Sequence, residues 1–401
     1  YQQGFVTGGK IVDVYGHGGP VATSAAGSGA DSGGKYVGVA PNANLINLRV
    51  LSDQGSGTDS SVIAAIDRAI ALKSQYNIRV LNLSLGRPVY ESYTQDPLCH
   101  AVERAWNAGI VVVVAAGNEG RNNSAGTSGY GTIMSPGNDP LVITVGAMRD
   151  MGTTIRSDDY IASYSSKGPT LIDHIVKPDI VAPGNQIVAN EGQGGHILAQ
   201  NYPANKISGN YIKLSGTSLA APMVSGAAAL LLQKTPSLTP DQVKARLMRT
   251  ATKSFPSFST ATDPNTKITY TSQYDVFTVG AGYLDAWAAL NDVTAVPATV
   301  GTAASPTAVY NSTSKSTYIV TTSNSVWGSN AVWGNNAVWG SNAVWGASVW
   351  VSGSNAVWGN NAVWGSTTST GFSAVWGSNA VWGSATKSAT ETTAVTINGD
   401  N

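Results

Sequence analysis

Two kinds of apolar pattern alternate over the first three quarters of the chain. The run Ile110-Val111-Val112-Val113-Val114-Ala115-Ala116 is β-branched, unbroken and followed by glycine, which predicts a strand buried on both faces. Arg79-Val80-Leu81-Asn82-Leu83-Ser84 and Leu141-Val142-Ile143-Thr144-Val145 read the same way. Just ahead of the 79–84 strand the period changes. Residues 60–75 place Ile63, Ile66 and Ile70 on one helical face, with Asp59, Ser60 and Ser61 as candidate caps. Thr239-Pro240-Asp241 predicts another helix, with Thr239 at the N-cap and Pro240 at the first helical position. Strand–helix alternation of this kind predicts an α/β fold, a doubly wound parallel sheet with helices on both faces. In such folds the chemistry gathers at the carboxyl ends of the strands.

The pattern stops near Leu290. Residues 297–325 are rich in Thr, Ser, Ala and Val, and read as a linker with short strands such as Tyr318-Ile319-Val320. A hexapeptide repeat built on Val-Trp-Gly then occupies 326–383, with Trp327, Trp333, Trp339 and Trp345 six residues apart. Residues 384–401 form a Thr/Ser-rich C-terminal tail. An even period keeps every Trp on one face of an extended chain, and Gly-Ser-Asn and Gly-Asn-Asn suit turns. The repeats therefore predict a β-rich module, a small solenoid or a stack of hairpins. Its Trp row is either its own core or an adhesive surface for glycan or another subunit.

Composition sharpens this division. Of the 401 residues only 11% are charged, against about 25% in an average soluble domain. From Ala303 to Asn401 the only charged residues are Lys315, Lys387, Glu391 and Asp400. Lys+Arg and Asp+Glu both number 23, and a zero balance argues against a nucleic-acid partner, which needs surplus cations. No apolar run reaches the length of a membrane span. Cys99 is the single cysteine, so no intrachain disulfide and no cysteine metal cluster can form; it reads as a small buried hydrophobe.

Three segments carry candidate chemistry: Asp13-Val14-Tyr15-Gly16-His17-Gly18-Gly19-Pro20, Ala115-Ala116-Gly117-Asn118-Glu119-Gly120, and Leu214-Ser215-Gly216-Thr217-Ser218-Leu219-Ala220-Ala221-Pro222. The last predicts a turn that sets Ser218 at a helix N-terminus, where developing negative charge is favoured. Pro222 is expected in the first helical turn, where its missing N–H costs little. Serine needs a general base, and His17, set between glycines, is open to close approach by another segment. Asn118, in a turn just past a strand, has an amide that can donate to an oxyanion.

These segments resemble the His, Asn and Ser motifs of the subtilisin family of serine endopeptidases. Gly38-Val39-Ala40-Pro41, Asn82-Leu83-Ser84-Leu85-Gly86, Ser165-Ser166-Lys167-Gly168-Pro169 and Val181-Ala182-Pro183-Gly184 resemble family segments in the same order. The resemblance covers about 290 residues and implies a subtilisin-like three-layer sandwich with a mainly parallel sheet over 1–296. It implies Ser218 as nucleophile, His17 as general base and then acid, and Asn118 as oxyanion donor. Ser84, Leu85 and Gly86 would form the edge on which a polypeptide substrate pairs as a strand. It also implies an extracellular location, and calcium in some members, for which the loop carboxylates Asp13, Asp53 and Asp59 are the candidates.

Two departures from the family pattern matter. The family carries its catalytic Asp on an early strand well before the His, and only sixteen residues precede His17. That strand and its Asp are thus expected to be missing, the peptidase domain being N-terminally incomplete; Asp13 matches a different acidic position. Neutralising that acid in a serine protease costs about 10⁴-fold in turnover. Secondly, Gly19-Pro20 replaces the family's Thr-His, which predicts a helix that starts late or distorted and displaces His17. Two readings follow: a secreted serine endopeptidase working through an acyl-enzyme, or a catalytically impaired structural protein that self-associates into filaments or a surface layer through its Trp repeats.

Overall fold

The computed structural model describes residues 1–311 apart from 7 and 10, together with 316–320 and 387–400. The repeat module expected at 326–383 lies outside the described residues. The strands are β1 (Gln2–Gly4), β2 (Asn47–Arg49), β3 (Val80–Leu83), β4 (Val111–Ala115), β5 (Ile143–Arg149), β6 (Tyr160–Ile161), β7 (Ile180–Pro183), β8 (Ile187–Asn190), β9 (Lys206–Ser208), β10 (Tyr211–Leu214), β11 (Phe258–Thr262), β12 (Thr269–Gln273), β13 (Thr307–Asn311) and β14 (Ser316–Val320). The helices are α1 (Gly18–Ala26), α2 (Asp59–Tyr76), α3 (Pro97–Asn107), α4 (Ile197–Asn201), α5 (Thr217–Lys234), α6 (Pro240–Thr250), α7 (Val276–Val279), α8 (Ala286–Asn291) and α9 (Lys387–Asn398).

The central sheet runs β3-β4-β5 in parallel, with β7 parallel and the short β6 antiparallel to β5. All five residues of β4 are buried, so both faces of the sheet are covered. Each buried valine there contributes about 2 kcal/mol through lost contact with water. Helix α5 crosses β3, β4, β5 and β7, while α3 packs on β4 and α2 on α3. Its small residues Ala220, Ala221, Ala227 and Ala228 let the helix lie close to the sheet. A separate two-stranded parallel sheet, β1-β2, carries the N-terminus.

The sequence expectations meet the structure unevenly. The three buried runs are β3, β4 and β5, and Thr239 caps α6 in a reciprocal capping box with Gln242, with Pro240 in the first turn. In α2 the cap is Thr58, which accepts from the Ser61 N–H, rather than Asp59, Ser60 or Ser61. The buried face of α2 centres on Val62, Ile66, Ala69 and Leu72, and Ile63 and Ile70 flank it half-buried. Cys99 is fully buried, and burial pushes its thiol well above the ordinary range.

Residues 298–311 run over the body. Ser305 donates to Asp179, itself between Lys177 and Lys244 in a fully buried ion cluster, and the backbone of Ala308 pairs with His174. Strand β13 continues into a hairpin with β14. At the other end of the undescribed stretch, Val395, Ile397 and Asp400 are buried against the body.

Candidate active site

Ser218 is the second residue of α5, just inside a helix whose N-cap is Gly216. The first N–H groups of a helix lack an acceptor one turn back; here the Leu219 N–H closes a tight turn on the Gly216 carbonyl at 3.0 Å. The Ser218 hydroxyl is 3.4 Å from the Ser84 carbonyl oxygen, to which it donates. Ser84 Oγ in turn donates to the Ser218 carbonyl at 2.7 Å. That second bond has a definite cause. Pro222 lies past the first turn of α5, contrary to the sequence expectation, and is the residue whose N–H would have served the Ser218 carbonyl. The Ser84 hydroxyl takes the place of the missing amide, and this ties the end of β3 to the peptide unit of Ser218.

Asn118 follows β4 by three residues and is buried. Its Oδ1 accepts from Thr217 N–H at 2.9 Å and from Thr217 Oγ1 at 3.0 Å. Thr217 Oγ1 also accepts the Gly117 N–H at 3.2 Å. With its oxygen held twice, the Asn118 amide can only turn its Nδ2 donor away from Thr217. Thr217 was not singled out from the sequence; its place between Gly216 and Ser218 was the available signal.

His17 is the N-cap of α1, which packs against α5. The helix starts at Gly18 without delay, which corrects the expectation drawn from Gly19-Pro20. Pro20 falls in the first turn, where its N–H would have had no intrahelical partner, and Asp13 Oδ2 takes the Gly19 N–H at 2.7 Å. Asp13 Oδ1 takes the Gly16 N–H at 2.8 Å, so this carboxylate shapes the His17 turn from inside. Gly16 has φ 95°, and a Cβ there would sit 2.6 Å from His196 Cβ. Close approach at the glycines flanking His17, expected from the sequence, is thus made by the His196 side chain, whose Nδ1 bonds the Asp13 carbonyl. Desolvation lowers the pKa of the half-buried imidazole, with the Asp13 charge opposing. Among the described residues no hydrogen bond joins the His17 ring to Ser218 or to a carboxylate.

Ser84 therefore reaches Ser218 directly and Asn118 reaches it through Thr217, whereas His17 stands on the neighbouring helix without a polar link to it. Leu85 is half-buried against the core, and Gly86 lies against Met134. The calcium candidates are already engaged: Asp13 with two glycine amides, Asp53 with Arg49 and Asp59 with Arg87. Among the described residues no group of three His, Cys, Asp or Glu converges. No described helix is long and apolar enough to cross a membrane.

The chain is similar to known serine proteases over much of its length. The chain is 44% identical over 244 residues to serine protease AprX of Bacillus subtilis (strain 168), which covers 59% of this chain and 52% of that protein. It is 38% identical over 255 residues to subtilisin DY of Bacillus licheniformis, covering 63% of this chain and 77% of the relative. The chain thus spans about half the length of AprX. Among solved structures, Sphericase superimposes with a TM-score of 0.52 at 28% identity, over 69% of this chain and 79% of that one. The model of the subtilase family matches residues 5–282. With its Ser, Asn and His motifs on the elements described above, the chain belongs to the subtilase family.

Proposed function

We propose that this chain is a serine endopeptidase domain that acts outside the cell on polypeptides through an acyl-enzyme. One observation carries the reading: Asn118, fixed by its oxygen on Thr217, presents its amide donor beside the turn that carries Ser218. In this mechanism Ser218 Oγ attacks the scissile carbonyl while His17 takes its proton and later returns it to the leaving amine. Asn118 Nδ2 and the backbone N–H of Ser218 hold the oxyanion. The substrate lies extended along Ser84-Leu85-Gly86, adding a strand at the edge of the sheet beyond β3. The similarity to AprX and subtilisin DY supports this assignment.

The bare His17 ring favours a second reading. Without a carboxylate bonded to the imidazole, a serine protease turns over about 10⁴-fold more slowly. A chain so impaired would serve as a structural subunit that assembles through its Trp repeats. A fluorophosphonate probe separates the two. Labelling that disappears in Ser218→Ala supports the peptidase; equal labelling of both, or none of either, overturns it for this chain. Electron microscopy that shows only single particles across salt and concentration overturns the filament reading.

A further inference from the structure

The last residues of the chain occupy a built site beside the catalytic loops. Asp400 has no exposed surface, and its carboxylate accepts from Arg121 Nη2 at 2.6 Å, from Ser163 N–H at 2.6 Å and from Ser163 Oγ at 2.7 Å. Arg121 has only 2% of its side chain exposed; it donates to Ser163 Oγ and pairs as well with Asp263. The backbone of Asp400 is read at both ends: its N–H goes to Asn185 Oδ1, and its carbonyl accepts from Asn185 Nδ2 and Gln186 Nε2. Ser215 N–H donates to the Thr396 carbonyl at 2.8 Å, three residues before Ser218. Thr393 bonds Tyr15, two residues before His17. Ile397 joins a cluster with Leu214, Leu219, Tyr15 and Tyr202.

The site also selects the residue before the acid. Gly399 has φ 61°, and a Cβ there would lie 2.2 Å from Asn185 Oδ1 and 2.4 Å from Ser215 Oγ. A charged, fully desolvated carboxylate next to a position that admits only glycine, with an aliphatic residue two positions earlier, amounts to a sequence requirement. Buried ions that meet matched donors are specific because an unmatched occupant leaves those donors unpaired.

We propose that the catalytic domain carries a peptide-binding site, built from Arg121, Ser163, Asn185, Gln186 and Ser215, that recognises an Ile-x-Gly-Asp segment and is filled by this chain's own residues 393–400. The site is a receptor and not merely a place where a tail packs: its occupant stays bound without a covalent connection and exchanges with a matching peptide. In consequence the stretch between β14 and α9, which holds the V-W-G repeats, is tethered to the catalytic body at both ends. The proposal does not rest on the peptidase reading.

The test uses the full chain with a recognition sequence for a site-specific protease placed at 380–386. After the cut, residues 387–401 remain with the body through gel filtration. An excess of a synthetic peptide of residues 387–401 then displaces them, followed by mass spectrometry. The same peptide carrying Asp400→Asn displaces them roughly a hundredfold less well, since Arg121 and Ser163 lose their charged partner. A Gly399→Val peptide fails to displace them. Loss of the fragment on cutting, failure of the matched peptide, or equal displacement by the three peptides overturns the proposal. Because the body keeps its own sequence in every peptide arm, misfolding of a variant cannot mimic these results.

Discussion

The turn that carries Ser218 and the turn that carries His17 are both helix N-termini, yet they are built on different principles. Around Ser218 the donors and acceptors come from other strands: Ser84 from the end of β3, Asn118 and Gly117 from the end of β4. Ser218 is thus fixed to the sheet. Around His17 the bonds serve the backbone of the turn, through Asp13 and His196, and among the described residues none is made by the ring itself. One region is held by hydrogen bonds down to its side chain, the other only down to its main chain. What separates them is the second layer of contacts rather than the identity of the residue, for His17 and Ser218 are both the residue types that the chemistry requires.

This contrast can be broken by substitution, and the largest effect belongs to Asn118. Asn118→Ala removes the oxyanion donor and leaves Thr217 N–H without its acceptor. Probe labelling of Ser218 should fall about 10²- to 10³-fold. A variant that labels at the parent rate would show that the Ser218 side is no better organised for chemistry than the His17 side.

Ser84→Ala comes next. It strips the Ser218 carbonyl of its donor, and urea unfolding should show a loss of about 1–2 kcal/mol. Pro222→Ala, which restores the helical amide, should recover part of that loss in the double variant. Additive losses in the double-mutant cycle would disprove the account of Ser84 as a substitute for the missing N–H.

On the His17 side, Asp13→Ala should cost about 1 kcal/mol of stability by unbinding the Gly16 and Gly19 amides. Chemical denaturation measures it, and an unchanged midpoint would place the support of this turn elsewhere.

The smallest effect is a shift in pH dependence. Burial lowers the His17 pKa in the folded chain, so the unfolded chain binds the proton more readily. The contribution to stability is therefore full above the unfolded value, about 6.5, and is lost as pH falls through the lower folded value. Asp13→Asn removes the charge that opposes this and should move the folded value lower still. Titration of the His17 ring by NMR reads the shift directly; movement upward would contradict the opposition between burial and Asp13.

Much of the site was legible from residue types. A buried apolar run followed by Gly117-Asn118, and a Gly-Thr-Ser turn before a small-residue helix, each state a local structure that depends on neighbours in sequence. The start of α1 was misjudged because proline was weighed by its missing amide alone. In a first turn that amide has nothing to bond, and the Asp13 carboxylate six residues before Gly19 supplies the cap. Pro222 was misjudged the other way: one further turn into α5, the missing amide does matter, and its remedy lies 134 positions away in Ser84. The docking of Asp400 was not legible either. Its partners Arg121, Ser163 and Asn185 stand far off in the chain, and an acidic residue in a sparsely charged tail gives no sign of them.

By itself the sequence determined the three central strands, the helix that carries Ser218 and the Ser, His and Asn motifs, since these follow from hydrophobic period, turn residues and spacing. Only the tertiary structure decided which donors serve which acceptors: Ser84 on the Ser218 carbonyl, Thr217 on Asn118, Asp13 on the His17 turn and Arg121 on Asp400. A buried polar group must find a partner wherever the fold brings one within about 3 Å. That choice depends on distances between segments remote in the chain, which no local pattern encodes.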